Sequence, residues 1–234
     1  MLYCDSPTVG QLGYQDPGTL ALLGVYELYD RIMYYLIALL VVVLWFFSRV
    51  LKSPTVFAAN FSHGNLIEFL WTLAPAGILW GIGIPSLKLL YMLDEILDSE
   101  ITVKAIGNQW YWSYEYSDYD NEALQFDSFL VDDASLNFGD LRLLTVDNSL
   151  ILPIYTSIRL LVTSNDVIHS FGVPSLGLKC DAIPGRLNSA GLLLHRESFF
   201  YGQCSELCGI LHGFMPISIQ GVQPSSYITF LLNA

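Results

Sequence analysis

Two long uncharged stretches constrain this chain more than any other feature of its sequence. Residues 32–47 form a run of sixteen residues without a charge, and residues 69–87 form a second run of nineteen. A helix that crosses the hydrocarbon core of a bilayer needs about 20 predominantly apolar residues. Arg31 and Arg49 flank the first run and can extend their charged ends towards the headgroups, so its helix can continue past the run. We predict two transmembrane helices joined as a hairpin, rather than core helices of a soluble protein.

The loop between the two runs sets the predicted orientation of the hairpin. Residues 48–66 contain Arg49 and Lys52 but no acidic residue. Because basic loops stay on the inner side of a membrane, this loop is predicted to face the matrix or cytoplasm, with both chain termini outside. Residues 1–30 contain no Lys or Arg, unlike a secretory signal peptide, so the mature protein is expected to begin close to Met1.

The overall composition agrees with membrane residence and narrows the possible partners. The chain of 234 residues is 53% hydrophobic, with a mean hydropathy of +0.47, above an ordinary soluble domain. Its net charge of −12 argues against a nucleic-acid partner and fits a basic protein partner.

The pattern changes after Leu93 from apolar runs to short β segments. An acidic linker at residues 94–100 precedes β-branched and aromatic segments that alternate with Gly, Asp, Asn and Pro. The segments predicted as strands are 101–106, 141–146, 158–163 and 217–222. Many short strands without a long helix indicate a β-sandwich or barrel of about 130 residues, the size of one domain. We divide the chain into an N-terminal segment (1–30), a two-helix transmembrane hairpin (31–93) and a β domain (94–234).

One loop of the β domain concentrates possible metal ligands. Within residues 201–216 the chain carries two thiols, an imidazole and a thioether, spaced four, four and three apart: Cys204, Cys208, His212 and Met215. Soft thiolate and thioether ligands favour copper, and imidazole also suits it. A mononuclear blue-copper site uses a single Cys, whereas two thiolates could bridge a pair of copper ions. A second histidine is required, and we choose His169 because it follows the strand-like segment 158–163.

Two other interpretations of this loop remain open from the residues alone. Zinc also binds Cys and His, but zinc sites usually have closer Cys pairs, and zinc does not explain Met215. The two cysteines could instead form a disulfide in an oxidising compartment, which would leave His212 and Met215 without a role. Cys4 and Cys180 lie outside the loop and are interpreted as structural.

Three further motifs join the loop in resembling one family. Residues 109–116 read Gln-Trp-Tyr-Trp-Ser-Tyr-Glu-Tyr, residues 166–171 read Asp-Val-Ile-His-Ser-Phe, and residues 174–188 begin Pro-Ser-Leu-Gly-Leu and end Gly-Arg-Leu-Asn. With the loop, they resemble cytochrome c oxidase subunit II. The resemblance implies a cupredoxin-like β domain with a binuclear copper centre. It also implies that the chain accepts electrons from cytochrome c and relays them to a haem-copper catalytic subunit, which reduces oxygen to water coupled to proton pumping.

The resemblance also implies which residues bind metal. It places a copper pair among two thiolates, two imidazoles, a thioether and a backbone carbonyl. The implied ligands are His169, Cys204, Glu206 through its carbonyl, Cys208, His212 and Met215. It further implies that the Glu206 carboxylate binds a magnesium ion shared with the catalytic subunit. Because an electron relay breaks no substrate bond, no general acid or nucleophile is expected in this chain.

Electron acceptance, docking and proton uptake are assigned by the same resemblance. Trp110 is implied as the surface residue that faces the haem edge of cytochrome c, with Tyr111 beside it. Glu68 corresponds to the start of a proton pathway, although an interfacial Glu is often simply solvated. From residue 101 onwards, thirteen acids stand against six basic residues, and such a balance steers a basic partner. The assigned docking acids are Asp118, Asp127, Asp147 and Asp166, with Asp120 and Glu122 in the same acidic cluster.

The implied setting is the mitochondrial inner membrane, with the β domain in the intermembrane space and a bacterial plasma membrane as the alternative. The implied partners are cytochrome c, the catalytic subunit, other oxidase subunits and membrane lipid. Three other classes are set against this interpretation. A quinol oxidase subunit II lacks the copper ligands, a tethered copper-delivery protein needs exposed ligands and no Trp-Tyr-Trp motif, and the copper domain of nitrous oxide reductase lacks the hairpin.

Overall fold

The computed structural model describes residues 3–53, 63–94, 98–116, 118 and 124–233. These residues form two compact units, one made of residues 24–92 and the other of the remaining described residues. Glu95 of the acidic linker and the acids Asp120 and Glu122 lie outside the described residues. The boundary expected at residue 30 falls inside the first long helix.

Two long helices carry the uncharged runs and extend past both ends of each run. The helix α1 spans Leu20–Lys52, and α2 spans Asn65–Asp94. Both are long and apolar enough to cross a membrane, and none of the most apolar stretch of either is buried. Glycines allow close contacts inside this unit: a Cβ on Gly81 would lie 2.7 Å from the hydroxyl oxygen of Tyr35. Small residues serve the same purpose in other membrane helix pairs.

The other unit is built on strands arranged in two mixed sheets. The strands are β1 (Tyr3–Asp5), β2 (Ile101–Asn108), β3 (Tyr111–Tyr116), β4 (Leu124–Ser128), β5 (Leu150–Pro153), β6 (Ile158–Ser164), β7 (His169–Val173), β8 (Leu178–Ala182), β9 (Asn188–Leu192), β10 (Ser198–Cys204) and β11 (Pro216–Val222). One sheet has the order β5-β11-β10-β7-β8, with β1 paired to β10, and the other has the order β4-β3-β2-β6-β9.

The core lies between the two sheets and follows from alternating side chains. Burial alternates residue by residue along β6 and most of β10, as expected for strands with one buried face. Phe171 of β7 is at the centre and contacts two buried aromatics of β3. Its ring centroid lies 5.1 Å from that of Trp112 and 6.4 Å from that of Tyr114, both nearly perpendicular. The predicted β-sandwich is therefore confirmed.

Three of the four predicted strands are confirmed by β2, β6 and β11, whereas the strand predicted at 141–146 is wrong. The segment turns instead: the amides of Leu144 and Thr145 both donate to the carbonyl of Leu141. Leu143 has a φ of 63°, which no extended strand adopts. Only Val146 keeps a bridge, to Leu130. The left-handed backbone at Leu143 and the two hydrogen bonds to the Leu141 carbonyl close the segment into a turn, although β6 carries a similar Leu-Leu pair within a strand.

The C-terminal helix α3 (Pro224–Asn233) was not predicted from the sequence. Pro224 at its first position fits the fixed φ of proline. Tyr227 and Phe230, spaced three apart, pack with ring centroids 6.3 and 5.8 Å from that of Tyr116. The helix therefore covers one end of the sandwich core.

The N-terminal segment is bound to the β domain rather than separate from it. Strand β1 pairs in parallel with β10. Arg196 forms an ion pair with Asp5 and donates to the carbonyl oxygen of Asp16. The hydroxyl of Thr19 donates to the carbonyl of Leu176 at 2.8 Å. These contacts place residues 3–19 alongside the strands that carry the candidate ligands.

Candidate metal centre

Strand pairing brings the first two candidate ligands together from positions 35 residues apart in the sequence. In the antiparallel pair of β7 and β10, Cys204 lies opposite Phe171. Alternate residues of a strand share a face, so His169 lies on the same face as Phe171 and Cys204. The Nδ1 atom of His169 is 3.9 Å from the Sγ atom of Cys204.

The loop after β10 folds back so that its other ligands surround the second sulfur. The Sγ atom of Cys208 lies 4.0 Å from that of Cys204, 3.5 Å from Nδ1 of His212 and 3.6 Å from Sδ of Met215. Both cysteines are free. Since a disulfide bond is about 2.05 Å long, the disulfide interpretation of this pair does not hold.

The sixth candidate ligand, Glu206, approaches through its backbone. Its carbonyl oxygen lies 3.3 Å from the Sγ atom of Cys204, and the residue itself is exposed. The donor set therefore consists of two sulfurs, two Nδ1 nitrogens, a thioether and a carbonyl. These are ligand types that copper accepts, and a thioether is not among the usual ligands of zinc. The residues present fit a copper pair.

The two thiols differ in how readily they ionise. Burial opposes ionisation of Cys204, but hydrogen bonds with His169 and with the backbone at Glu206 and Ser170 lower its pKa below the usual range. For Cys208, burial and the adjacent Cys204 thiolate both raise the pKa. A single negative charge thus forms easily, whereas the second thiolate needs a compensating cation.

The histidine ligand is supported by an acid, a tryptophan and a glycine. Burial disfavours the charged form of His169, but hydrogen bonds with Cys204 and Asp166 raise its pKa. Trp112 packs edge-on to the imidazole and donates from Nε1 to the carbonyl of Met215 at 3.3 Å. A Cβ on Gly107 would lie 2.8 Å from Cδ2 of His169, so only glycine fits there.

The sequence predicted no role at the metal site for Trp112, Gly107 or Asn108. In the structure Asn108 is buried, donates to the hydroxyl of Ser113 at 3.0 Å and accepts from the side chain of Asn165 at 2.9 Å. Gly107 could have been found from its position inside a strand, where glycine often marks a close backbone approach.

Trp110 lies in the turn between β2 and β3 and rests directly on the ligand loop. Its Nε1 donates to the carbonyl of Cys208 at 3.3 Å, and Nε2 of Gln109 donates to the same oxygen at 2.8 Å. The loop makes room for the indole at Gly209, which has a φ of +127° and where a Cβ would lie 3.0 Å from Trp110 Cζ2. Tyr111 instead stacks on Phe129, with ring centroids 4.5 Å apart.

Comparison with known proteins assigns the arrangement to a family. The profile of the family "Cytochrome C oxidase subunit II, periplasmic domain" matches residues 101–222, and the profile of the subunit II transmembrane domain matches residues 7–89. The chain belongs to the cytochrome c oxidase subunit II family. As a member it is a membrane-embedded part of an oxidoreductase complex, and the predicted hairpin and cupredoxin-like domain are confirmed.

Relatives match the chain over nearly its whole length. Cytochrome c oxidase subunit 2 of Cyanidium caldarium is 50% identical over 236 residues, which cover 98% of this chain and 92% of that protein. The protein of Vigna unguiculata described as cytochrome c oxidase subunit 2, mitochondrial, is 48% identical over 238 residues, covering 98% of this chain and 63% of that protein. Among solved structures, the periplasmic domain of subunit II of Bradyrhizobium japonicum cytochrome oxidase is 44% identical, with a TM-score of 0.54. It covers 60% of this chain and 96% of that chain.

The four acids assigned to docking are all exposed, and each also accepts a hydrogen bond inside the domain. The acceptors and their donors are Asp118 with the amide of Thr102, Asp127 with the hydroxyl of Ser113, Asp147 with the amide of Phe129, and Asp166 with the amide of Gln109. Their part in docking stays a prediction for this subunit II.

Glu68 occupies the first turn of α2, where it is exposed. Its carbonyl accepts a hydrogen bond from the hydroxyl of Thr72 at 2.8 Å. A carboxylate near a helix N-terminus is favoured by the helix dipole, which accounts for its position without a proton pathway. The pathway assignment stays a prediction.

Proposed function

We propose that this subunit II accepts electrons from cytochrome c at a pair of copper ions and relays them to the haem-bearing catalytic subunit. One observation carries the proposal: His169 Nδ1, Cys204 Sγ and Cys208 Sγ lie within 4.8 Å of one another, in a buried cluster. His212 and Met215 complete the cluster at 3.5 and 3.6 Å from the Cys208 sulfur.

The thiolates of Cys204 and Cys208 and the imidazoles of His169 and His212 would hold the copper pair. Met215 and the Glu206 carbonyl would supply the weaker ligands. Copper supplies a one-electron redox couple when it is bound. The chain supplies rigidity: His169 is fixed on a strand and Met215 is held through its carbonyl by the buried Trp112. Ligands held this firmly move little when the charge changes, which favours fast electron transfer.

Trp110 is the proposed point at which electrons arrive. Its indole is half-buried, so one part contacts the ligand loop through the Cys208 carbonyl while another part remains accessible to a partner. The acids Asp118, Asp127 and Asp147 lie on the same domain and would attract a basic protein. Electrostatic attraction of this kind acts mainly on the association rate and weakens with salt.

The remaining assignments are part of the same proposal. We place the β domain in the intermembrane space of mitochondria because the loop between the spans is basic and a relative is described as mitochondrial. The carboxylate of Glu206 would bind magnesium together with the catalytic subunit, and its exposure is compatible with a shared site. Glu68 would lie at the start of a proton pathway.

Copper analysis of the assembled oxidase tests this proposal. Cys208→Ser should abolish the copper pair of subunit II and stop the oxidation of cytochrome c. Cys180→Ser is the matched control, because Cys180 is also a free cysteine but lies outside the cluster. Equal copper content in both variants would contradict the proposal, and zinc in place of copper in the wild-type complex would favour a structural site.

A further inference from the structure

We propose that Asp166 is a positioning residue, whose carboxylate orients His169 towards the copper site and ties it to the turn that carries Trp110. This inference rests on the proposed function. Asp166 resembles Asp127 and Asp147 in charge and in being exposed. It differs from them in this role because of the groups that its carboxylate contacts.

One oxygen of Asp166 determines which nitrogen of the His169 ring is free to bind a metal. Its Oδ1 atom lies 2.8 Å from Nε2 of His169, while Nδ1 on the other side of the ring faces the Cys204 sulfur. A ring that donates from Nε2 to a carboxylate keeps the lone pair of Nδ1 free for a metal. Carboxylates of this kind fix the tautomer and orientation of metal-binding histidines and raise their basicity. His169 itself is fully buried.

The other oxygen of Asp166 reaches the aromatic turn. Its Oδ2 atom accepts a hydrogen bond from the amide of Gln109 at 2.6 Å. The side chains of Gln109 and Trp110 both donate to the carbonyl of Cys208. The turn is therefore joined to one ligand through Asp166 and to another ligand directly. A single carboxylate thus fixes the indole relative to the metal site.

The carboxylate is itself held in place by its own segment. Oδ1 also accepts from the amide of Val167 at 2.6 Å and lies 3.3 Å from the hydroxyl of Ser164. Only 32% of the side chain is exposed. Asp147 accepts comparable bonds from the amides of Phe129 and Asn148, neither of which is a candidate ligand. A pure docking charge would not need bonds to both a ligand and the turn.

Three substitutions in the assembled oxidase separate positioning from docking. Asp166→Asn keeps the shape but has a single acceptor oxygen, so it can serve His169 or the Gln109 amide and not both. Asp166→Glu keeps the negative charge but lengthens the side chain by one methylene group, which displaces the carboxylate from its present position. Asp147→Asn removes the same charge from another docking acid and is the matched control.

The measurements are the magnetic coupling of the histidine nuclei to the copper electron, the rate of copper loss to a chelator, and the salt dependence of KM for cytochrome c. Loss of an outer carboxylate typically weakens metal binding by about 10–100-fold. We expect both Asp166 variants to change the histidine coupling and to lose copper faster by a factor of that order. Asp147→Asn should leave both unchanged and alter only KM and its salt dependence.

The opposite pattern would overturn the inference. If Asp166→Glu matches the wild type throughout and Asp166→Asn changes only KM, as Asp147→Asn does, Asp166 is a docking charge alone. Should Asp166→Asn fail to assemble, Asp166→Glu decides, since docking requires only its charge. A wild-type complex without an electron shared by two copper nuclei would instead overturn the proposed function, and this inference with it.

Discussion

Two of the segments that supply metal ligands differ strongly in burial. Strand β7, which we call the floor, is buried at every residue from His169 to Val173. Residues 205–214, which we call the copper loop, expose most of their side chains, with Leu207 78% and Ile210 91% exposed, although Cys208 is buried. The floor is positioned by the core of the sandwich. The copper loop is positioned by its ligands and a few hydrogen bonds.

This difference in burial indicates which parts of the fold hold the ligands in place. His169 cannot move without disturbing Phe171 and the aromatic core, so one ligand is fixed before any metal binds. The copper loop depends on the Gln109–Trp110 turn, which holds its Cys208 carbonyl, and on Trp112, which holds the carbonyl of Met215 directly after the loop. Changes in the floor should therefore act on folding, and changes in the copper loop mainly on the metal site.

The largest loss of folding stability is expected from Phe171→Ala in the floor. This buried ring contacts Trp112 and Tyr114, and truncating such a core aromatic costs about 3–5 kcal/mol. Urea denaturation of the full chain in detergent, followed by tryptophan fluorescence, measures the loss. Phe171→Leu is the control and should cost less. Equal, small losses for both variants would show that the floor does not depend on the core.

An intermediate loss of folding stability is expected from Gly209→Ala in the copper loop. A side chain at a φ of +127° is strained, which costs about 1–3 kcal/mol, and its Cβ would press on Trp110. Gly213→Ala is the matched control, because nothing lies within 4 Å of a Cβ there and its φ is not positive. The two variants are compared by denaturation and by the copper absorption spectrum. Identical behaviour would contradict the packing of Trp110 on this glycine.

A smaller effect on stability is expected where the floor meets the copper loop. Trp112→Phe keeps an aromatic ring but removes the hydrogen bond to the Met215 carbonyl and leaves part of the buried indole space empty, at a cost of about 1–2 kcal/mol. Trp110→Phe should cost less, because the residue is half-buried, yet it should slow the uptake of electrons from cytochrome c more. Denaturation should show the larger loss of stability in Trp112→Phe, and stopped-flow reduction should show the larger loss of electron-uptake rate in Trp110→Phe. The same rank in both measurements would count against Trp110 as the point of electron arrival.

The smallest effect is expected at the tip of the copper loop. Ile210→Asn changes a side chain that is 91% exposed, so the free energy of unfolding should stay within about 0.5 kcal/mol of the wild type. Ile217→Asn provides the contrast, because Ile217 is fully buried in β11 and the amide would be left without partners. A large loss from Ile210→Asn would mean that the copper loop tip is packed rather than exposed.

Local patterns in the sequence predicted the elements but not the contacts between them. The hairpin followed from two uncharged runs, and three strands followed from β-branched and aromatic segments separated by turn residues. The spacing from Cys204 to Met215 predicted a metal-binding loop because all its ligands lie in one segment. The register of β7 against β10, which brings His169 to Cys204, is set by long-range pairing that no local pattern contains.

The same limit explains what was missed. The leucines of residues 141–146 resembled a strand, but hydrogen bonds to Leu141 close a turn there. Asp166 was assigned to docking through the family resemblance and its charge, and its bonds to His169 and Gln109 could not be predicted because they exist only in the folded domain. Residues whose role is to support a neighbour carry a weaker sequence signal than the ligands themselves.

The most direct test of the central claim is the electron paramagnetic resonance spectrum of subunit II in the copper-loaded oxidase. We expect hyperfine structure from one unpaired electron shared equally between two copper nuclei, and the loss of this signal in Cys208→Ser. A spectrum from a single copper nucleus in the wild-type subunit would contradict it.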